Sequence, residues 1–178
     1  MQHITYPTVT DPLEPSDLQE PFQCSDQAAV AYLAGASLTQ HVADLGRTWV
    51  LRRTADDPPT LPAVLGYYTL ATGSMEVVRP NSWRSVDLLP VLSIAHFAVS
   101  TAIEGRGFGQ HLLLDALTRA VMVADQVGAM GVVATARSDR ALRWCSAHGF
   151  VELTARPVRR VLMPMRLARR AVRSVFED

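Results

Sequence analysis

The stretch from Pro90 to Val127 limits the fold more than any other part of this chain. "PVLSIAHFAVS" (Pro90–Ser100) is apolar at nearly every position rather than at alternate ones, the pattern of a strand buried on both faces of a central sheet. The glycine-rich "EGRGFG" (Glu104–Gly109) follows. A proline-free segment from about Gly109 to Val127 then sets Leu112, Leu113, Ala116, Leu117, Ala120 and Val121 on one helical face. A doubly buried strand needs helices over both its faces, so the fold class is α/β, with a mixed central sheet flanked by helices. At 178 residues, with 48% hydrophobic and 19% charged residues, the chain is long enough for one domain with its own core and too apolar to be disordered.

The remaining segments supply neighbours for that strand. Ser25 offers an N-cap to a helix that uses Ala28, Ala29, Tyr32 and Leu33 on one face and ends near Gly46. "RTWVLRR" (Arg47–Arg53) and "AVLGYYTLATG" (Ala63–Gly73) read as strands, and Ser74–Leu89 as an irregular excursion. "MGVVATAR" (Met130–Arg137) is a further strand, "SDRALRWCSAHGF" a short helix capped by Ser138 and stopped at Gly149, and "RRVLMP" a last strand. Met1–Pro21, rich in Pro, Asp, Thr and Glu, reads as a leader without regular structure. The main domain is therefore expected over 1–165. Residues 166–178 form an added amphipathic helix, with Arg166, Arg169, Arg170 and Arg173 on one side and Leu167, Ala171, Val172 and Val175 on the other.

A buried strand, a glycine turn and a long helix together make an anion site. The turn lets successive backbone N–H groups converge, and the helix N-terminus adds roughly half a positive charge. A P-loop is excluded, because it needs a lysine and all 17 basic residues of this chain are arginine. The dinucleotide fingerprint fails at its third glycine, where Gln110 stands. Five histidines and two cysteines show no metal-ligand spacing. Cys24 and Cys145 are too few for a disulfide framework, the N-terminal region lacks the features of a signal peptide, and no stretch approaches the ~20 apolar residues of a membrane span. A cytoplasmic protein without membrane contact is the expectation. The formal net charge of zero carries no global nucleic-acid signature.

Glu104–Gly105–Arg106–Gly107–Phe108–Gly109 resembles the pyrophosphate loop of the GNAT acyltransferases, Q/R-x-x-G-x-G/A. The blocks "PLEPSDLQEPFQCSDQAAVAYL", "GRTWVL", "GYYTLATGS", "PVLSIAHFAVS", "EGRGFGQHLLLDAL", "ADQVGAMGVVATA" and "RRVLMPM" are similar, over residues 10–165, to the toxin-type aminoacyl-tRNA acetyltransferases of toxin–antitoxin pairs. The resemblance implies a GNAT fold and acetyl-CoA as cofactor. Its pyrophosphate would rest on the backbone of Glu104, Gly105, Arg106, Gly107, Phe108, Gly109 and Gln110, and its pantetheine on the main chain of Phe97, Ala98 and Val99. It also implies an aminoacyl-tRNA acceptor, a homodimer and a ribbon-helix-helix antitoxin partner.

Four positions depart from the family pattern. Glu104 stands where Gln or Arg is usual and brings a carboxylate to an anion site. His96 and Ser100 stand where these toxins have Arg and Asp. Cys145 occupies the place of the tyrosine that commonly returns a proton to the departing CoA thiolate. His96 is the candidate base, since imidazole accepts protons near neutral pH. Cys145 is the candidate acid, because a thiol of pKa about 8.5 has a proton to give, but it is shorter by a ring and filling core space is the competing role. Ser93 and Thr135 are candidates for orienting an amine or a water. Local positive charge for tRNA would come from the arginine helix with Arg156, Arg159 and Arg160. The expected function is acetyl transfer from acetyl-CoA to a primary amine, with the α-amine of an aminoacyl-tRNA as acceptor. The alternatives are a small-molecule or protein amine, or a degenerate acyl-CoA binder that transfers nothing.

Overall fold

The computed structural model describes residues 10–76, 88–154 and 158–176. In chain order the elements are β1 (Asp11–Pro12), a 3-10 turn (Pro15–Leu18), α1 (Gln27–Gly35), α2 (Ser37–Val42), β2 (Arg47–Arg52), β3 (Val64–Glu76) and β4 (Leu88–Val99). After a second 3-10 turn (Thr101–Ile103) come α3 (Phe108–Val127), β5 (Gly131–Thr135), α4 (Asp139–Ala147), β6 (Val151–Thr154), β7 (Arg160–Pro164) and α5 (Met165–Phe176). The strands form one seven-stranded sheet in the order β1-β2-β3-β4-β5-β7-β6. β4 and β5 run parallel, while β1–β2, β5–β7 and β6–β7 are antiparallel, so the expected mixed α/β sheet is present. Contacts divide the chain into two compact units, residues 1–69 with 96–116 and residues 70–95 with 117–178.

The first unit is built on aromatic rings whose polar ends are all tied. Tyr67 is fully buried, donates its hydroxyl to the Ala29 carbonyl at 2.7 Å, and meets Phe22 edge-on and Tyr32 face-on. Leu13, Leu33, Val50, Val64 and Ala98 close around these rings. The expected single helix from Ser25 is two. Asp26, not Ser25, caps α1, its carboxylate accepting from the amides of Ala28 and Ala29. The chain breaks at Ala36, and Ser37 turns its hydroxyl back onto the Leu33 carbonyl at 2.6 Å, the kind of local competition that interrupts helices.

Residues 10–21 of the leader are tied into the domain too. Asp11 and Pro12 pair with Val50 and Trp49, and Asp17, itself buried, takes two bonds from Arg52 at 2.6 and 2.8 Å. The bond to Asp17 is the main cause of the raised pKa of the Arg52 guanidinium. These are pairings across the sequence, which the composition of the leader does not display. Residues 1–9 and most of the Ser74–Leu89 excursion lie outside the described residues; β3 itself continues to Glu76, beyond the expected end at Gly73.

The second unit is packed mainly with aliphatic side chains. Val91, Val133 and Leu162 form its cluster with Met75 against them. A Cβ on Gly131 would lie 2.6 Å from the Met163 carbonyl oxygen and 2.7 Å from Leu162 Cδ1, so β5 can approach β7 only with glycine there. Ser138 caps α4 through the Ala141 amide, and Gly149 follows its end at φ 88°, both as expected. β6, only Val151–Thr154, was too short to register as a strand in the sequence. On α5, Ala168 and Val172 are buried, Arg166, Arg170 and Arg173 are exposed, and Arg169 bonds Asp125 of α3 at 2.8 Å.

Candidate functional site

The pairing of β4 with β5 runs from Leu92–Val132 to Ile94–Ala134, whereas β4 itself continues to Val99. The main chain of Phe97, Ala98 and Val99 thus extends beyond the paired stretch. From the other neighbour, Gly66 of β3 admits this backbone closely, since a Cβ there would sit 3.1 Å from the Ala98 carbonyl and 3.2 Å from Leu112 Cδ2. Nothing in a one-dimensional pattern marks Gly66 for this role except its place inside an otherwise bulky strand.

β4 ends at Val99; Ser100, which follows, is fully buried, its amide donating to the Leu65 carbonyl at 2.8 Å and its hydroxyl accepting from the Ala102 amide. Ile103, also buried, anchors the short 3-10 turn. The chain then passes through two left-handed glycines, Gly105 at φ 75° and Gly107 at φ 87°, before α3 starts at Phe108. The space where a Gly105 side chain would begin is open to 4 Å. Gly107 offers its carbonyl to the amides of Gln110 and His111, so Gln110 is already engaged in the first helical turn. The amides of Phe108 and Gly109 precede the helix's own i→i−4 ladder and carry the positive end of its dipole. Glu104 is half-buried and one of its oxygens accepts the Ser25 hydroxyl at 3.3 Å, which gives both Glu104 and Ser25 an occupation that the sequence did not suggest.

His96, half-buried on β4, stacks on Tyr32 of α1 with ring centroids 3.4 Å apart and planes 6° from parallel. The sequence singled out His96; Tyr32 was seen only as a core residue. His96, Phe97–Val99 and Glu104–Gln110 all belong to the first compact unit, and Cys145, Ser93 and Thr135 to the second. Cys145 is buried within α4, and burial pushes its thiol pKa up. His111, one turn into α3, has its pKa lowered by burial. Arg159 is paired with Asp139, Arg160 is half-buried in β7, and Arg156 lies outside the described residues. Among the described residues, no three His, Cys, Asp or Glu side chains gather to hold a metal ion, and no helix is long and apolar enough to cross a membrane.

No protein-family model matches the chain. A tRNA-acetylating toxin of Mycobacterium tuberculosis is 32% identical to it over 123 residues, which are 67% of this chain and 70% of the relative. Among solved structures, the AtaT toxin complexed with acetyl-methionyl-tRNAfMet superposes with a TM-score of 0.75 at 22% identity, over 94% of this chain and 98% of that one. A tyrosine-to-phenylalanine mutant of AtaT, bound to acetyl-CoA and to the C-terminus of the antitoxin AtaR, superposes at 0.73 and 21% identity, over 96% and 98%. These toxins carry the GNAT fold, and the described sheet and helices match it.

Proposed function

The chain belongs to the family of tRNA-acetylating toxins, and we propose that it moves acetyl from acetyl-CoA to the α-amine of an aminoacyl-tRNA. The observation that carries this reading is the junction of β4 with α3. Two left-handed glycines, open space above Gly105 and the N-terminus of a long helix suit a dense anion such as a pyrophosphate. Backbone amides from Gly105 to Gly109 would hold that group, with Arg106, exposed beside them, adding charge. Glu104 and Gln110 would flank it. The main chain of Phe97, Ala98 and Val99 would hold the pantetheine and polarise the thioester carbonyl. Acetyl-CoA supplies the acetyl group as a thioester, whose C–S bond is exchanged for the C–N bond of the product amide.

Proton traffic falls to two side chains in this reading. His96 takes a proton from the acceptor's ammonium and leaves a nucleophilic amine. Cys145 stands where the family tyrosine returns a proton to the leaving thiolate. Its raised pKa keeps that proton on sulfur at neutral pH, although its burial fits a packing role equally. Exposed Arg166, Arg170 and Arg173 would meet tRNA phosphates. The wider proposal places residues 1–165 in the acyltransferase domain with 166–178 as an added helix, in a cytoplasmic homodimer restrained by a ribbon-helix-helix antitoxin.

The test is to incubate the protein with labelled acetyl-CoA and total charged tRNA beside a Gly107→Glu control. Label in aminoacyl-tRNA that the control loses is the expected result. Label in small amines only would redirect the acceptor. Acetyl-CoA binding with no transfer to any amine would make the protein a binder, the reading that replacement of the family tyrosine by Cys145 favours.

A further inference from the structure

The stack of His96 on Tyr32 is closer and flatter than aromatic side chains ordinarily adopt. Neutral rings prefer offset or edge-on contacts with centroids about 4.5–7 Å apart. Here the centroids are 3.4 Å apart and the planes 6° from parallel, so one ring lies directly over the other. A face-on arrangement becomes favourable when one ring is a cation over the other's π face. Imidazolium is the form His96 takes once it has accepted a proton.

Tyr32 is also held at its hydroxyl. Its hydroxyl accepts from Thr69 Oγ1 at 3.2 Å and donates to Gln40 Oε1 at 3.3 Å. Thr69 in turn shares a 2.8 Å bond with Thr48, whose amide donates to His41 Nδ1 at 3.1 Å. Tyr67 stacks on Tyr32 as well, at 6.3 Å between ring centroids. Residues of α2, β2 and β3 thus hold one phenol of α1, and the phenol presents a flat face to a half-buried imidazole.

We propose that Tyr32 is the positioning residue for His96, holding the imidazole plane on β4 and stabilising the imidazolium formed when the acceptor's ammonium gives up its proton. This rests on His96 being the base. Tyr32 touches neither substrate in this account; it acts through the ring it carries.

The experiment is a double-mutant cycle in the full-length protein, with initial rates of acetyl transfer from labelled acetyl-CoA to total charged tRNA. His96→Gln is expected to lower kcat by roughly a hundredfold or more. Tyr32→Leu is expected to lower it about tenfold, the scale of a lost cation–π contact, with KM for acetyl-CoA unchanged. Tyr32→Phe keeps the face but loses the hydroxyl's bonds to Thr69 and Gln40, and is expected to lower the rate by less than Tyr32→Leu. In the His96→Gln background, Tyr32→Leu should have no further effect. An equal fold-loss in both backgrounds, or Tyr32→Phe as damaging as Tyr32→Leu, would overturn the proposal in favour of a structural role. Full activity in Tyr32→Leu beside an inactive His96→Gln overturns it while sparing the base assignment. A fully active His96→Gln removes the base assignment and the proposal with it. Should Tyr32→Leu not fold, histidine-selective proton NMR of the unaltered protein decides. The His96 ring protons, assigned by their loss in His96→Gln, should lie upfield of free histidine, and unshifted protons would overturn the stack.

Discussion

The two compact units differ in how they are held together. Every buried polar or charged side chain among the described residues belongs to the first unit: Thr10, Asp17, Ser37, His41, Thr48, Thr69 and Ser100. In the second, buried side chains such as Val132, Val133, Val161, Leu162 and Met163 are hydrophobic, and the arginines of α5 lie outside. Aliphatic packing resists volume changes but tolerates small repacking, whereas a satisfied polar network fixes particular atoms. The unit with the network is the one that carries the glycine turn, the end of β4 beyond its pairing with β5, and the stacked histidine. Substitutions in the first unit should therefore alter chemistry, and those in the second stability.

The largest effect expected is on Gly107. Gly107→Glu forces a side chain into φ 87° and puts a carboxylate at the anion turn. Transfer should fall at least about a hundredfold, the scale of losing oriented backbone donors, while the protein stays folded by circular dichroism. Gly131→Ala makes the opposite test. With a backbone oxygen 2.6 Å from the new Cβ, stability should drop by about 1–3 kcal/mol in chemical denaturation, and the folded fraction should keep its kcat. Thr69→Val, in the first unit, strips a partner from Thr48 and Tyr32. It should cost about 1–3 kcal/mol, as buried groups left unpaired do, and unlike Gly131→Ala it should also lower kcat of the folded protein.

Two smaller effects sharpen the contrast. The buried, raised thiol of Cys145 should react with Ellman's reagent more slowly than half-buried Cys24, and its rate should climb only well above neutral pH. Cys145→Ala then separates the two roles: a fall in kcat assigns the acid, an unchanged kcat assigns packing. At His111, burial lowers the folded pKa, so the unfolded chain takes up the proton first. Its contribution is fully present above about pH 6.5 and is lost as pH falls through the lower folded value. His111→Gln should flatten the acid side of the stability curve.

What the sequence displayed follows the same division. The apolar run of β4, the glycine turn and the amphipathic α3 were legible because each is a local pattern of period or residue type. So was the Ser138–Gly149 framing of α4. The pairing of Asp11 and Pro12 with β2 and the seat of Asp17 on Arg52 were not, because they depend on partners tens of residues away. The expected helix from Ser25 to Gly46 split because Asp26 supplied the cap and Ser37 a local competitor, choices that neighbouring polar residues make equally plausible. His96 stood out as the one titratable residue in an apolar strand, but its stack on Tyr32 joins α1 to β4 and left no trace in either segment.

In the proposed reaction the glycine turn serves transfer to the α-amine of aminoacyl-tRNA. The most direct measurement is alkaline release of the amino acid from tRNA after incubation with labelled acetyl-CoA, followed by mass spectrometry. N-acetyl amino acids are expected, and none with Gly107→Glu. Unmodified amino acids from tRNA treated with the intact, acetyl-CoA-bound protein would contradict the proposed reaction.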